Sequence, residues 1–135
     1  MKFYSPKGPT LRSLCNKINP DEFIESMVKI GQIDKRTEDY GSDVYKLCHN
    51  SVAWILKQLK PTFYFFEVEI IVGSFEGKDH SWVKAGNYYI DLTLAQFIDC
   101  PKLAVSKAGE IQGYEPKEIL STSDYLSILF KENNL

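Results

Sequence analysis

A two-residue turn, Gly86-Asn87, separates the runs HSWVKA and YYIDLT and restricts the fold more than any other feature of the sequence. Both runs have the composition of β-strands, and Gly and Asn tolerate the backbone angles that a two-residue hairpin turn requires. Because such a turn fixes which residues face each other, Val83 is expected opposite Ile90. The sequence therefore predicts an antiparallel hairpin with a defined register.

That register sorts the side chains of the hairpin onto two faces. One face is apolar and suits a protein core: it carries Val83, Ala85, Tyr88, Ile90 and Leu92. The other face carries His80, Trp82, Tyr89, Asp91 and Thr93. On this second face His80 and Asp91 are diagonal neighbours, and a Cβ separation of about 7 Å lets an imidazole reach a carboxylate across the strands. The turn and the spacing together predict a His-Asp pair.

Two helices are predicted ahead of the hairpin. NPDEFIESMVKIG has Asn19 as its N-cap, Pro20 in the first helical position and Gly31 as its end. CHNSVAWILKQLKP has apolar residues at i, i+3, i+4 and i+7, and Pro61 ends it. One side of each helix is therefore expected to be buried.

Further elements are predicted on both sides of the hairpin. TFYFFEVEIIVG has the β-branched and aromatic composition of a buried strand that closes on Gly73. Weaker strands are expected around Val105 and Ile111, and SDYLSILFKEN is expected to form a short helix capped by Ser123. The order, helices first and then a sheet, indicates an α+β protein.

The composition describes an ordinary globular chain and argues against several classes of partner. The 135 residues are 44% hydrophobic and 25% charged, so one domain spanning residues 1–135 is expected. A formal net charge of -2 gives no reason to expect binding to nucleic acid or to an anionic membrane. No window has the length of an apolar membrane span, and MKFYSPKGPT lacks the apolar run of a secretory signal. We expect a cytoplasmic protein, and the sequence does not indicate its oligomeric state.

The cysteines direct attention to one candidate nucleophile. Cys15, Cys48 and Cys100 are an odd number without C-x-x-C spacing, which indicates neither a disulfide framework nor a zinc site. An imidazole oriented by a carboxylate serves to take a proton from a nucleophile. Cys48 lies at or near the start of a predicted helix, where the dipole and free N–H groups lower a thiol pKa. We therefore expect Cys48 to be the nucleophile, with His80 as its base.

Simpler interpretations of the same residues remain open at this point. If Ser42 caps the second helix, Cys48 falls in its second turn and is a small residue of the core. His80 and Asp91 can also be polar residues on a solvated sheet face. The run Thr93 to Gln96 fits a capping box, which gives Gln96 a structural role.

Three motifs carry a resemblance to known enzymes. CHNSVAWIL at the start of a helix, followed by HSWVK and YYIDLTLAQF on a hairpin, resembles the Cys, His, Asp order of the papain-like and transglutaminase-like thiol enzymes. The ending I-D-x-T-x-x-Q-F is similar to small papain-fold domains of bacteria and phages, some of which are associated with toxins. The resemblance covers residues 45–97. It implies a papain-like α+β fold, with N-terminal helices packed on a small antiparallel sheet.

The resemblance also implies an activity. It makes Cys48 the nucleophile, His80 the base and Asp91 the orienting carboxylate of a cysteine hydrolase or acyltransferase that cleaves amides through a thioester. Members of that superfamily include thiol proteases, amidases, transglutaminases and protein glutamine deaminases, and this chemistry needs no cofactor and no metal. A peptide or protein substrate is expected, with Trp82 and Tyr89 at the substrate-binding wall of the site. An effector or toxin would act in the cytosol of a target cell.

One departure from papain-like enzymes and one alternative function accompany this hypothesis. Papain-type enzymes place a glutamine before the cysteine as an oxyanion donor, and this sequence has no evident equivalent because Gln32 is distant. The alternative is a non-catalytic binding protein that retains the fold and holds a partner in a cleft beside Trp82 and Tyr89. Thiol reactivity separates the two, since a binding protein has no need of it.

Overall fold

The computed structural model describes residue 3, residues 15–59, residues 68–125 and residue 127. Its helices are α1 (Pro20–Lys29), α2 (Tyr40–Asp43) and α3 (Cys48–Leu59), and a 3₁₀ turn covers Leu94–Gln96. Its strands are β1 (Val68–Phe75), β2 (Lys78–Ala85), β3 (Tyr88–Asp91), β4 (Ala104–Lys107) and β5 (Tyr114–Ser121). Within the described residues the chain is an α+β protein, as the sequence predicts.

The five strands form one antiparallel sheet with the order β4-β3-β2-β1-β5. The predicted hairpin is β2 and β3, and its register is confirmed because Val83 pairs with Ile90 and Ala85 pairs with Tyr88. Gly86 at the turn has a φ of 58°, the left-handed conformation for which a glycine is suited.

Both predicted helices are present, and the boundaries that fall within the described residues agree with the prediction. The Asn19 side chain accepts hydrogen bonds from the first-turn N–H groups of α1, and Gly31 follows the helix with a φ of 82°. Helix α3 begins at Cys48 and extends to Leu59. The predicted stop at Pro61 lies outside the described residues, as does the start of the aromatic strand that includes Phe63.

The sheet differs from the prediction at the end of β1 and in the position of its last strand. Strand β1 does not close on Gly73 but continues to Phe75, and a tight turn with positive φ at Glu76 and Gly77 leads into β2. Val105 lies in β4 as predicted, whereas Ile111 lies in a connecting loop and the next strand is β5. Strand β5 is mostly exposed at the edge of the described sheet, so its sequence YEPKEILS lacks the apolar alternation of a half-buried strand.

The C-terminal helix is described only in part. Residues 122–125 and 127 are helical, and the other predicted positions lie outside the described residues. The hydroxyl of Ser121 accepts a hydrogen bond from the N–H of Asp124, so Ser121 rather than the predicted Ser123 provides the cap.

Both faces of the hairpin are buried, so the alternative in which His80 and Asp91 are polar residues on a solvated sheet face is wrong. The first face packs against the helices; its core includes Phe23, Ile24 and Met27 of α1, Val52, Ile55 and Leu56 of α3, and Ile70, Val83 and Ile90 of the sheet. The second face, which we call the aromatic face, carries a cluster of Trp82, Tyr89 and Tyr114 together with Ile71. His80 and Asp91 lie on this face with exposures of only 2% and 1%.

The described helices are short or amphipathic. None of them is long and apolar enough to cross a membrane.

Candidate active site

The predicted His-Asp pair is present on the aromatic face. Nε2 of His80 lies 2.7 Å from Oδ2 of Asp91, and both side chains are shielded from solvent. The ring of Phe97 covers the His80 ring edge-on at 5.1 Å, and the Trp82 ring stacks against it at 5.5 Å. Water therefore does not reach the pair and does not compete for its hydrogen bond.

Asp91 is held by more donors than the sequence predicts. Its Oδ1 accepts from the N–H of Thr93 at 2.9 Å and from the Thr93 hydroxyl at 3.3 Å, while Oδ2 also accepts from the Tyr114 hydroxyl at 2.8 Å. Burial raises the pKa of Asp91, but the charge and hydrogen bond of His80 and the donors Thr93 and Tyr114 lower it by more. The carboxyl group is therefore ionised at neutral pH although it is fully buried.

Cys48 is the first residue of α3, at the position that the prediction requires. Ser42 belongs to the separate short helix α2, so the alternative in which Ser42 caps a longer helix and Cys48 lies in its second turn is wrong. The N–H of Ser51 bonds to the carbonyl of Leu47 and starts the α3 ladder. The N–H groups at the start of α3 consequently point along the axis, where they attract negative charge.

Cys48 and His80 shift each other's protonation. With Nε2 of His80 bound to Asp91, the buried Nδ1 lacks a conventional hydrogen-bond partner in the described part of the chain. Burial lowers the pKa of His80, but Asp91 and Cys48 raise it by more, to about 9. Burial raises the pKa of Cys48, but His80 and Ser81 lower it by more. The neighbouring charges therefore favour the thiolate of Cys48 and the imidazolium of His80 more than each group would favour its charged form alone.

Ser81 is a site residue that the sequence did not reveal. It is 1% exposed, and both its hydroxyl and its backbone act on Cys48 to lower the thiol pKa. Its Oγ also lies 3.2 Å from Nδ1 of His49, the exposed residue that follows the cysteine. Successive side chains of a strand point to opposite faces. The strand pattern therefore places Ser81 on the face opposite to His80 and does not connect it with the site.

Gln96 holds the turn that leads into α3. Its Oε1 accepts a hydrogen bond from the N–H of Lys46 at 3.1 Å, and Lys46 has the unusual φ of 61°. The predicted capping box is wrong, because Thr93 makes no side-chain cap to the 3₁₀ turn and bonds Asp91 instead. Gln96 thus fixes the backbone two residues before Cys48.

The two aromatic residues expected at the substrate have little surface with which to contact one. Trp82 is 1% exposed and Tyr89 is 6% exposed. Their rings pack edge-to-face at 5.4 Å, and both also contact the ring of Tyr114. They form the packed layer around His80 rather than the open wall of a cleft.

The pKa values of the other two cysteines are shifted in the opposite direction from that of Cys48. Burial raises the pKa of Cys15 to about 11. Burial, with the nearby charges of Asp91 and Asp99, raises the pKa of Cys100 to about 12. Among the three thiols, that of Cys48 alone has a lowered pKa.

Two surface grooves lie beside the turn that Gln96 holds. They have volumes of about 470 and 290 Å³, and both are lined in part by Asp39, Gly41, Ala95 and Gln96. Neither is lined by a residue of the Cys-His-Asp set. Across the described residues, no group of three or more His, Cys, Asp or Glu side chains is arranged to hold a metal ion.

No protein-family model, curated protein or solved structure matches this chain.

Proposed function

We propose that the protein is a cysteine-dependent hydrolase or acyltransferase that attacks an amide bond. The observation that carries the proposal is the buried 2.7 Å contact between His80 and Asp91, which leaves Nδ1 of His80 without a hydrogen-bond partner among the described residues. His80 also lowers the pKa of Cys48, the first residue of α3. A histidine oriented in this way keeps the thiol ionised and transfers its proton. Cys48 is the nucleophile, His80 the acid and base, and Asp91 the orienting group.

The reaction proceeds in two balanced halves. The Cys48 thiolate attacks the carbonyl carbon, and the C–N bond breaks as the His80 imidazolium gives its proton to the departing nitrogen, which leaves a thioester. Water or an amine then attacks the thioester while His80 takes the proton, and the C–S bond breaks to restore the thiolate. The free N–H groups at the start of α3 stabilise the negative oxygen in both halves.

The finer parts of the hypothesis belong to the same proposal. The helix-first order and the antiparallel sheet are compatible with a papain-like fold, which is the fold that we propose. The substrate is a peptide or a protein, and the reaction takes place in a cytosol, either that of the producing cell or that of a target cell.

The first test is the reactivity of Cys48. Iodoacetamide should alkylate Cys48 well below the ordinary thiol pKa of about 8.5 and faster than Cys15 or Cys100. Mass mapping of the native protein over a pH series reads each site separately. The variant His80→Gln is the matched control, because it removes the imidazolium that lowers the Cys48 pKa. If Cys48 is the slowest of the three thiols to react, the assignment of the nucleophile is wrong.

The second test identifies the reaction. The protein is incubated with mixed peptides and glutamine-containing proteins, and new termini, released ammonia and incorporated amine are measured, with Cys48→Ala as the blank. New termini indicate proteolysis, ammonia without cleavage indicates deamidation, and amine incorporation indicates transamidation. Silence in all three assays while Cys48 stays reactive would favour the binding protein, although the buried Trp82 and Tyr89 offer it no open cleft.

A further inference from the structure

Tyr114 binds the same carboxylate oxygen as His80. Its hydroxyl donates to Oδ2 of Asp91 at 2.8 Å, and Nε2 of His80 lies 2.7 Å from that oxygen. Burial and the neighbouring Asp91 charge raise the pKa of Tyr114 far above its ordinary value, so the phenol keeps its proton and donates at every pH of interest.

The fold brings Tyr114 to the site from the far side of the sheet. It is the first residue of β5, which pairs with β1 and not with either strand of the hairpin. The β1–β5 register shifts between Val72 and Gly73, and β5 lies so close there that a Cβ at Gly73 would overlap the carbonyl oxygen of Glu115. The Tyr114 ring is then fixed by Trp82, whose centroid is 4.6 Å away.

Two donors on one oxygen compete for its negative charge. A carboxylate that already accepts from a phenol attracts the proton of a neighbouring imidazolium less strongly, because hydrogen bonding to the charged form stabilises it. Thr93 occupies the other oxygen, so the negative charge of Oδ2 is divided between Tyr114 and His80.

We propose that Tyr114 is a positioning residue of the site that holds Asp91 in place and limits how tightly Asp91 binds the proton-bearing form of His80. This inference rests on the proposed function, in which His80 must release its proton to a leaving group. An imidazolium paired with an unmoderated buried carboxylate would hold that proton too firmly to be an effective acid near neutral pH.

Several other titratable groups face Asp91 and His80, and most of them stay neutral over the working range. Burial, with the charge of Asp91 nearby, raises the pKa of Tyr40 well above its usual value, and it raises that of Cys100 to about 12. Burial also raises the pKa of Tyr89 on the aromatic face. Cys48 does titrate with His80, and His49 reaches the site through Ser81. The test therefore removes these last two groups.

The test follows the titration of His80 by NMR in the full-length Cys48→Ala, His49→Asn chain, where His80 is the one histidine left. Adding Tyr114→Phe should raise the titration midpoint by about half a pH unit or more, equivalent to a few-fold change in the proton-binding constant. The midpoint moves upward because Oδ2 of Asp91 regains the charge that it shared with the phenol.

Tyr40→Phe is the matched control. Its hydroxyl donates a hydrogen bond of similar length, 2.7 Å, but to the carbonyl of Leu92, next to Asp91 in the chain. This variant should lose similar stability and leave the His80 midpoint in place. An unchanged or lower midpoint in Tyr114→Phe, or an equal rise in Tyr40→Phe, would overturn the inference.

A second variant keeps the test decisive if Tyr114→Phe does not fold. Replacing Tyr114 with 3-fluorotyrosine retains the ring and makes the phenol a stronger donor, so the His80 midpoint should move in the opposite direction, downward. A midpoint that stays or rises would reject the proposal. Failure of the proposed function is recognised separately, since it appears as an unreactive Cys48 in the native chain and not as a change at His80.

Discussion

The two faces of the β2–β3 hairpin are buried equally well but by different means. On the helix-packed face, Val83 and Ile90 are fully buried among aliphatic side chains of α1 and α3. On the aromatic face, His80 and Asp91 are as deeply buried, yet each is a polar group surrounded by rings. The first face depends on buried apolar area and the second on the hydrogen bonds that hold the Asp91 carboxylate.

This difference determines which changes each face tolerates. Apolar packing loses free energy in proportion to the area and volume removed, and volume-conserving changes cost little. A buried ionic group that loses one partner leaves an uncompensated charge, and the cost is large whatever the change in size. Substitutions on the face that holds His80 and Asp91 should therefore have sharp effects that depend on chemistry, and substitutions on the other face should have graded effects.

The largest effect is expected from a change that moves one member of the His-Asp pair to the other face of the hairpin. Inserting one residue between Gly86 and Asn87 slips the register by one position, so that either His80 or Asp91 moves to the helix-packed face. We expect loss of turnover together with severe loss of stability, measured by thermal unfolding and Cys48 alkylation. An insertion after the exposed Gly109 in the β4–β5 loop is the control and should be tolerated. Retained alkylation at low pH in the turn variant would contradict the assigned register.

Asp91→Asn tests the chemistry of the aromatic face at nearly constant volume. The N–H of Thr93 donates to Oδ1, which selects the amide oxygen there and turns the amide nitrogen of the variant toward His80. That nitrogen donates to Nε2, so the ring proton is placed on Nδ1, where it blocks acceptance of the Cys48 proton. We expect turnover to fall by up to about 10⁴, the size of the loss that the same substitution causes in a serine-protease triad.

Asp79→Asn is the matched control for that experiment, because it changes an exposed carboxylate beside His80 on the same strand. It should retain normal turnover. Asp91→Ala is made in parallel, and full activity in it, with Cys48→Ala inactive, would reduce the site to a Cys-His dyad.

Ile90→Ala tests the helix-packed face. Ile90 is fully buried, and truncation of such a residue costs about 2–5 kcal/mol of unfolding free energy. Denaturant unfolding measures this loss, and the folded fraction should keep the low-pH alkylation of Cys48. A folded variant in which Cys48 reacts like an ordinary thiol would show that the two faces are not independent.

The smallest expected effect is a dependence of stability on pH, to which His80 and Cys48 contribute with opposite signs. The pKa of His80 rises on folding to about 9, so its contribution is complete below about 6.5 and is lost as pH rises through the folded value. The lowered pKa of Cys48 gives a contribution that increases with pH toward its ordinary value.

Because these two trends oppose each other, Cys48→Ala should reveal a decline in stability as pH rises above about 6.5. The folded-state pKa of His80 is then below 9, since Cys48 no longer raises it. A tenfold difference in proton affinity between the folded and unfolded chains corresponds to about 1.4 kcal/mol of unfolding free energy, and thermal unfolding over a pH series measures it. A variant with flat stability from pH 6 to about 9 would contradict the raised His80 pKa.

Local signals in the sequence were sufficient for the hairpin and for the start of α3. The Gly86-Asn87 turn and the strand period of two determine the His80 and Asp91 positions without any long-range information, and the structure confirms that contact. Asn19 likewise caps α1 as predicted, because capping involves residues only two or three positions apart.

The rest of the site comes from distant segments that have no local signature. Strand β5 is an exposed edge strand with Pro116, so neither its existence nor the place of Tyr114 follows from a periodic pattern. The hydrogen bond from Lys46 to Gln96 joins residues 50 positions apart. The burial of Trp82 depends on Tyr114 of the same distant strand, which is why an open cleft was expected in its place.

That link between Lys46 and Gln96 has a consequence for the order of folding. The β2–β3 hairpin closes a short loop, whereas the turn before α3 is secured only after a segment of 50 residues has been brought together. Longer loops lose more entropy on closure, and contacts between distant segments slow folding. The His-Asp pair can thus form early, whereas the lowered pKa of Cys48 requires contacts between distant segments that form later. A partly folded chain would carry an ordinary thiol, and the rate at which Cys48 gains reactivity during refolding would measure completion of the fold.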